Sequence, residues 1–316
     1  MLINIMLMLI GFVILIKGAD FFVEGASGIA KNLKVSKMLI GLTIVSFGTS
    51  APEFAVSVKS LLAGSGDITL GNVIGSNILN ILLILGCSAI IHSLTVKNNT
   101  VKKELPITML ITTVFAVLVS DHVFDKSIPN TFTRSDGIIV ILFFAVFLYY
   151  LISMAHHKTE ENIEEENISN LKAGLYTIVG IIGVILGSNF VVNSAIFLAR
   201  TWGVSERLIS LTIIALGTSL PELVTSVTAT KKGEYDIAIG NVVGSNIFNI
   251  GVVIGVPTAI LGGIGIVNFS YIDVLVMIAS SVILFMFSFK DYKIDRTEGI
   301  LFLILFIVYY SYVLVS

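Results

Sequence analysis

Charge is scarce in this chain: only 13% of its 316 residues are Asp, Glu, Lys or Arg, against roughly 25% in a soluble domain. Hydrophobic residues reach 55% and mean hydropathy is +0.98, which excludes a water-soluble domain and reads as an integral membrane protein. Cysteine is nearly absent. The single Cys87 rules out a disulfide within the chain, and its apolar surroundings in sequence read as a buried, inert thiol. No basic tract offers itself to nucleic acid, and a net charge of −2 says little about partners. No run has the short alternation of a membrane barrel. The first apolar run lacks a basic leader and a small-residue cleavage site, so it reads as a retained span rather than a signal peptide.

What is present is length. A helical span needs about 20 apolar residues, and hydropathy predicts ten: 2 to 29, 37 to 62, 68 to 92, 105 to 121, 136 to 155, 172 to 199, 206 to 230, 237 to 261, 270 to 289 and 297 to 315. The expected fold is all-α and membrane-embedded. Basic residues divide unevenly between alternate loops. One set carries thirteen, Lys31, Lys34, Lys37, Lys97, Lys102, Lys103, Lys158, Lys172, Lys231, Lys232, Lys290, Lys293 and Arg296, and the other only Lys126, Arg134, Arg200 and Arg207. The positive-inside rule makes the first set cytoplasmic and puts both termini outside. The segment from 156 to 171, with Glu160, Glu161, Glu164, Glu165 and Glu166, reads as an acidic cytoplasmic linker between residues 1 to 155 and 172 to 316. His156 and His157 beside it have no further ligands at metal-binding spacing.

The chain repeats itself. Leu42 to Ile81 aligns without a gap on Leu211 to Ile250, with twenty-two of forty positions identical, mainly Gly, Ser, Thr, Asn, Pro and Glu. Such residues are costly in a bilayer, so two matching sets point to one polar site built from both halves. Five spans per half is an odd number. Equivalent spans must then cross in opposite directions, which makes the duplication an inverted repeat.

Proline is rare too, five in all, and Pro52 and Pro221 fall within spans directly before Glu53 and Glu222. A proline there removes a backbone donor, so the helices are expected to break with the Gly48 and Gly217 carbonyls freed. Irregular backbone at membrane depth is tolerated only where protein or a wet cavity covers it. Thr49 and Glu53 are four apart, as are Thr218 and Glu222; Ser76 with Asn80 and Ser245 with Asn249 repeat the spacing on the next spans. All of these offer hard oxygen, which suits Na⁺ and Ca²⁺, while the lack of Cys and His in these segments argues against zinc or copper. Gly71, Gly75, Gly240 and Gly244 serve either close packing or the site; Asn72, Asn77, Asn241 and Asn246 either tie helices together or join it. Glu53 and Glu222 have no basic residue in the cores of their own segments, and a cation between them would cancel their charge.

At these residues the chain resembles the cation/calcium antiporter superfamily, specifically its sodium/calcium exchangers. GTSAPE with GNVIGSNILN, and GTSLPE with GNVVGSNIFN, are similar to that family's two alpha repeats. The resemblance implies ten transmembrane helices in an inverted five-plus-five repeat, broken at mid-membrane. It implies that Glu53 and Glu222 bind Ca²⁺ and share Na⁺ with Thr49, Ser50, Thr218 and Ser219. Ser76, Asn80, Ser245 and Asn249 complete the cluster, with backbone carbonyls near Ser46 and Ala215. Na⁺ and Ca²⁺ are then substrates rather than cofactors, the lipid bilayer is the surrounding medium, and a prokaryotic plasma membrane is the expected location. Many microbial and potassium-dependent members carry Asp where this chain has Asn249. That departure points to potassium-independent exchange. The linker has no room for the calcium-sensing domains of larger relatives. The repeat extends backward as well, with Gly11, Gly18, Asp20, Phe21 and Val23 matching Gly180, Gly187, Asn189, Phe190 and Val192. In the family the first and sixth helices are thought to slide, and a glycine-lined face suits either sliding or tight packing. The competing expectations are a proton/calcium antiporter of the same superfamily and a cation channel. An intramembrane enzyme is disfavoured, since no HExxH is present and neither glutamate has a partnered nucleophile.

Overall fold

A computed structural model describes residues 1–156, 168–204, 209, 212–213, 215–266 and 270–315. The chain is helical at each of the ten places where spans are expected. The first half contains α1 (Leu2–Leu33), the broken α2 (Lys37–Thr49 with Ala51–Leu62), α3 (Gly66–Ile91), α4 (Thr100–Glu104 with Leu105–Leu118) and α5 (Arg134–His156). The second contains α6 (Asn170–Thr201), α7 (Ala215–Thr218 with Leu220–Lys231), α8 (Tyr235–Leu261), α9 (Tyr271–Asp291) and α10 (Arg296–Val315). Among the described residues, seven helices are long and apolar enough to cross a bilayer unaided. The two arms of α2, bent by 46° at Ser50, make an eighth. The expected start of the seventh span near 206, the acidic run of the linker, His157, Lys158 and Arg207 lie outside the described residues.

Polar side chains cap the starts of α2, α6 and α9, and α6 begins two residues earlier than hydropathy alone predicts. Ser36, Ser169 and Ser270 each accept a hydrogen bond from the backbone N–H three residues on, at Leu39, Lys172 and Asp273. At its other end α1 runs past residue 29 to Leu33 and is stopped by Lys34 in the left-handed conformation, φ 55°.

Burial divides the helices into two kinds. In the most apolar stretch of α8, 94% of residues are buried, and 72% in α3, against 17% in α5 and 11% in α10. So α3 and α8, which carry the shared Asn-rich segments, form the interior. The outer helices turn Leu142, Val146, Ile304 and Ile307 outward, as a lipid-facing surface requires.

The repeat is inverted in three dimensions. Gly11 of α1 meets Gly187 and Phe190 of α6, Gly18 meets Gly183 and Val184, and Gly25 meets Ala173 and Thr177. Numbers rising along one helix fall along the other, so these equivalent helices pack antiparallel. Glycine is required for that approach. A Cβ at Gly180 would stand 2.4 Å from the Phe22 backbone nitrogen, and one at Gly187 2.5 Å from that of Leu15.

Two antiparallel ladders of two residues join loops across the halves: Leu94–Thr95 with Lys293–Ile294, and Thr131–Phe132 with Ile264–Gly265. The sequence reading contains neither, since two-residue strands leave no periodicity to detect. Charged contacts gather where α1 meets the starts of α2 and α8. Lys37 pairs with Glu234 at 2.7 Å, Ser27 donates to Glu234 at 2.9 Å, Lys97 pairs with Asp236 at 2.7 Å, and Lys232 donates to the Asp20 carbonyl at 2.9 Å.

The glycine contacts generate a graded expectation. Gly180→Ala and Gly187→Ala force backbones apart and cost about 1–3 kcal/mol each. Gly183→Ala costs less, because its Cβ would meet the Gly18 Cα only at 3.0 Å. Thermal unfolding of the purified variants measures the order; equal losses at all three positions would contradict it.

Candidate cation-binding site

The breaks in α2 and α7 place the two glutamates. Ser50 has φ −84° and ψ 7°, and its repeat partner Ser219 has φ −86° and ψ 6°. Pro52 and Pro221 each sit in the first turn of the helix that follows, where a missing N–H costs nothing. The prolines therefore begin new helices rather than interrupt old ones. Glu53 and Glu222 occupy the same first turns, near the positive ends of the helix dipoles, and each is only 1% exposed. Among the described residues no Lys or Arg pairs with either.

Sequence spacing pairs each carboxylate with a hydroxyl of its own half. The hydrogen bonds cross instead. Ser50 Oγ lies 2.9 Å from Glu222 Oε1 and 3.0 Å from Ser245 Oγ, while Ser219 Oγ lies 3.4 Å from both Glu53 Oε1 and Ser76 Oγ. Thr218 lies beside the Glu53 carboxylate, and Thr49 and Ser245 beside that of Glu222. Each acid is thus held by the opposite half, and the site exists only when the halves are together.

A second layer supports the breaks. The Asn72 amide donates to the Glu53 carbonyl and to Ser57 Oγ, both at 3.2 Å. Its repeat partner Asn241 donates to Ser226 Oγ at 2.9 Å and to the Glu222 carbonyl at 3.4 Å. Ser57 and Ser226 are absent from the sequence reading of the site. They were detectable, being identical in both copies and one turn beyond each glutamate. Asn241 Oδ1 also accepts from Thr49 Oγ1 at 3.0 Å, another link between halves.

The expected free carbonyls are only partly free. Ser188 Oγ of α6 donates to the Gly217 carbonyl at 3.2 Å. The equivalent of Ser188 is Ala19, which has no hydroxyl, so the Gly48 carbonyl lacks that donor. The Ser46 carbonyl accepts the Ser50 N–H at 3.0 Å and lies 3.4 Å from the Thr49 hydroxyl, so it too has partners within its own half. Ala215 opens the four-residue helix Ala215–Thr218, as Ser46 opens Ser46–Thr49.

Asn80 and Asn249 each begin a wide helical turn with hydrogen bonds five residues apart, Asn80–Leu85 and Asn249–Ile254, a distortion common at functional sites. Four buried side-chain oxygens near this centre have no hydrogen-bond donor: Glu53 Oε2, Glu222 Oε2, Asn80 Oδ1 and Asn249 Oδ1. They form two repeat pairs. An unpaired buried acceptor costs about 1–3 kcal/mol, so four together are a deficit of the kind that a bound cation satisfies. With the flanking hydroxyls they form an all-oxygen donor set of the kind taken by Ca²⁺ and Na⁺, with two negative charges in total. Among the described residues no cluster of three or more His, Cys, Asp or Glu exists.

Comparisons with known proteins place the chain in a family. The sequence pattern of the family described as sodium/calcium exchanger protein matches residues 3–153 and 172–315. The sodium/calcium exchanger MaX1 of Methanosarcina acetivorans is 30% identical, with 97% of each chain covered. The inner membrane protein YrbG of Escherichia coli is 34% identical over 83% of this chain and 82% of its own. Among solved structures, the sodium-calcium exchanger NCX_Mj soaked with 10 mM Na⁺ and zero Ca²⁺ superimposes with a TM-score of 0.85, at 33% identity and 97% coverage of both chains. The chain is an integral membrane transporter, not an enzyme, and belongs to the sodium/calcium exchanger family.

Proposed function

We propose that this protein exchanges Na⁺ for Ca²⁺ by alternating access, carrying Na⁺ inward and Ca²⁺ outward with net charge and without K⁺. The observation that carries the reading is the set of four buried, donorless oxygens contributed equally by the two halves. Two carboxylates balance one Ca²⁺, and the same oxygens divided into separate subsites suit several Na⁺. The site is assigned to Glu53, Glu222, Thr49, Ser50, Thr218, Ser219, Ser76, Asn80, Ser245 and Asn249, with carbonyls near Ser46 and Ala215. Ten membrane crossings, both termini outside and a cytoplasmic segment 156–171 joining residues 1–155 to 172–316 complete the proposed topology.

Binding and transport then follow from charge. An empty site leaves two acids facing each other at low dielectric, where repulsion is expensive; a bound cation removes that cost. A smooth antiparallel contact between α1 and α6 lets the pair move as a unit across the helices that hold the ligands. A channel would expose the site to both sides at once, whereas these oxygens lie buried among α2, α3, α7 and α8.

Glu53→Gln or Glu222→Gln removes half of the charge that balances Ca²⁺. Each variant is expected to abolish sodium-driven calcium uptake into proteoliposomes while remaining folded, with stability equal to or above the parent. Near-normal flux in either would overturn the site assignment.

Protons compete for the same two carboxylates. Protonation removes the charge that attracts the cation, so apparent Ca²⁺ affinity falls as the medium is acidified toward the glutamate range, about pH 4.3 for a free side chain. A half-saturating Ca²⁺ concentration independent of pH would argue against carboxylate ligation. Driving uptake by a Na⁺ gradient at equal pH, or by a pH gradient without Na⁺, separates sodium from proton coupling.

Asparagine at both 80 and 249 leaves no third acid to hold an accompanying K⁺. Sodium-driven flux is therefore expected with K⁺ on neither side, and to respond to voltage, since moving one charge is worth ~2.3 kcal/mol per 100 mV. An absolute requirement for K⁺ would refute this. Asn249→Asp adds a buried acid and is expected to change turnover and bring a new pH dependence.

A further inference from the structure

Four asparagines at the crossing of α3 and α8 form a closed hydrogen-bond figure. Asn77 donates to the Asn246 carbonyl at 3.3 Å, and Asn246 donates to the Asn77 carbonyl at 3.4 Å. Residues 77 and 246 are repeat equivalents, 169 apart, so the pseudo-two-fold axis passes between them. Asn80 donates to Asn246 Oδ1 at 2.9 Å, and Asn249 donates to Asn77 Oδ1 at 3.0 Å. All four side chains are buried, with no residue more than 1% exposed.

The figure has a direction because two of its members are main-chain carbonyls, which only accept. The Asn77 carbonyl obliges Asn246 to present its NH₂ group there, which turns Asn246 Oδ1 toward Asn80. Asn80 must answer with its own NH₂, which leaves Asn80 Oδ1 on the far side of its amide. The same sequence of steps runs from the Asn246 carbonyl through Asn77 to Asn249. Turning either outer amide over would set two acceptor oxygens against each other at about 3 Å. The two oxygens left over, Asn80 Oδ1 and Asn249 Oδ1, are the donorless acceptors of the site.

We propose that Asn77 and Asn246 are positioning residues that act across the repeat axis, Asn246 on Asn80 and Asn77 on Asn249. They ensure that the site meets its cations with amide oxygens and never with amide N–H groups. This rests on the site assigned above and adds residues and a mechanism to it. Cation affinity in each half becomes a property of the other half. An amide free to rotate would present NH₂ part of the time, repelling a cation while its oxygen turned away. The crossed bond removes that state.

The test is Ca²⁺ binding to the purified, detergent-solubilised full-length protein, read as the Ca²⁺ concentration that gives half of the maximal thermal stabilisation. Asn246→Ala and Asn77→Ala are each expected to weaken Ca²⁺ about tenfold, the scale of one buried hydrogen bond. The diagnostic is the double-mutant cycle. In an Asn80→Ala background, Asn246→Ala should weaken Ca²⁺ further by less than about twofold, since the amide it orients is gone. In an Asn249→Ala background it should retain most of its effect. A merely structural role predicts similar losses in both backgrounds, and that result overturns the proposal. If Asn246→Ala does not fold, the mirror cycle serves: Asn77→Ala should lose most of its effect in an Asn249→Ala background and keep it in an Asn80→Ala background, and similar losses in both would overturn the proposal. Glu53→Gln is measured alongside. Unchanged binding in Glu53→Gln would remove the site itself, whereas loss there with no effect at Asn77 and Asn246 would remove only their positioning role.

Discussion

Two carboxylates buried at 1% exposure, with no basic side chain paired to either among the described residues, are the constraint around which the protein is arranged. A charge in such a place is tolerated only when something cancels it. The usual remedy is a fixed Lys or Arg, and a fixed partner would make the site permanent and useless for transport. Here the remedy is hydroxyls and helix N-termini, which soften the cost without removing it. On the proposed reading of the site, the remaining deficit is what an exchanged cation supplies.

That requirement explains why the halves are interleaved rather than placed side by side. Ser50 reaches Glu222, Ser219 reaches Glu53, Thr49 reaches Asn241, and Asn80 reaches Asn246. Each half alone holds a broken helix, a carboxylate and a buried amide lacking their closest partners. The breaks at Ser50 and Ser219 require the other half to cover them, since free backbone at membrane depth must be enclosed. Fold and site therefore have one cause, and the two short ladders between loops extend the same crossing to the surface.

Much of this was legible in the sequence because the bilayer makes polar residues conspicuous. Positions of the helices followed from hydropathy, the shared centre from the forty-residue duplication, and the kinks from Pro52 and Pro221. The partners were not legible. Spacing of four residues joins Thr49 to Glu53 on paper, but Ser50 breaks the helix between them, and the hydroxyl contacts run to the other repeat. Ser57 and Ser226 are legible only as a pair, because a serine one turn beyond a glutamate carries no signal until it recurs in the second copy. The sequence leaves Asn77 and Asn246 between two roles for a related reason. Whether an amide ties helices or orients a ligand depends on which of its two ends is already committed, and only the geometry around it decides that.

The duplication is not exact, and the differences matter as much as the identities. Identical positions build the centre, which must present the same oxygens whichever side is open. Ties around α1 are drawn from positions that differ: Glu234 corresponds to Ser65, Lys232 to Ala63 and Ser27 to Ile196. The Ser188 bond to the Gly217 carbonyl has no counterpart at Ala19 and Gly48. A perfect inverted repeat would have equal energies facing either way, because the inversion would exchange the two states. Any preference between them must therefore come from residues outside the shared set. In this chain Lys37, Glu234, Ser27, Lys232 and Asp20 are among those residues, and they tie the C-terminal half of α1 to α2, α7 and α8. The more exposed of these pairs, Lys232 with Asp20, is of the kind worth about 0–1 kcal/mol. That range suits their place, since a tie strong enough to hold one face shut would also stop the exchange.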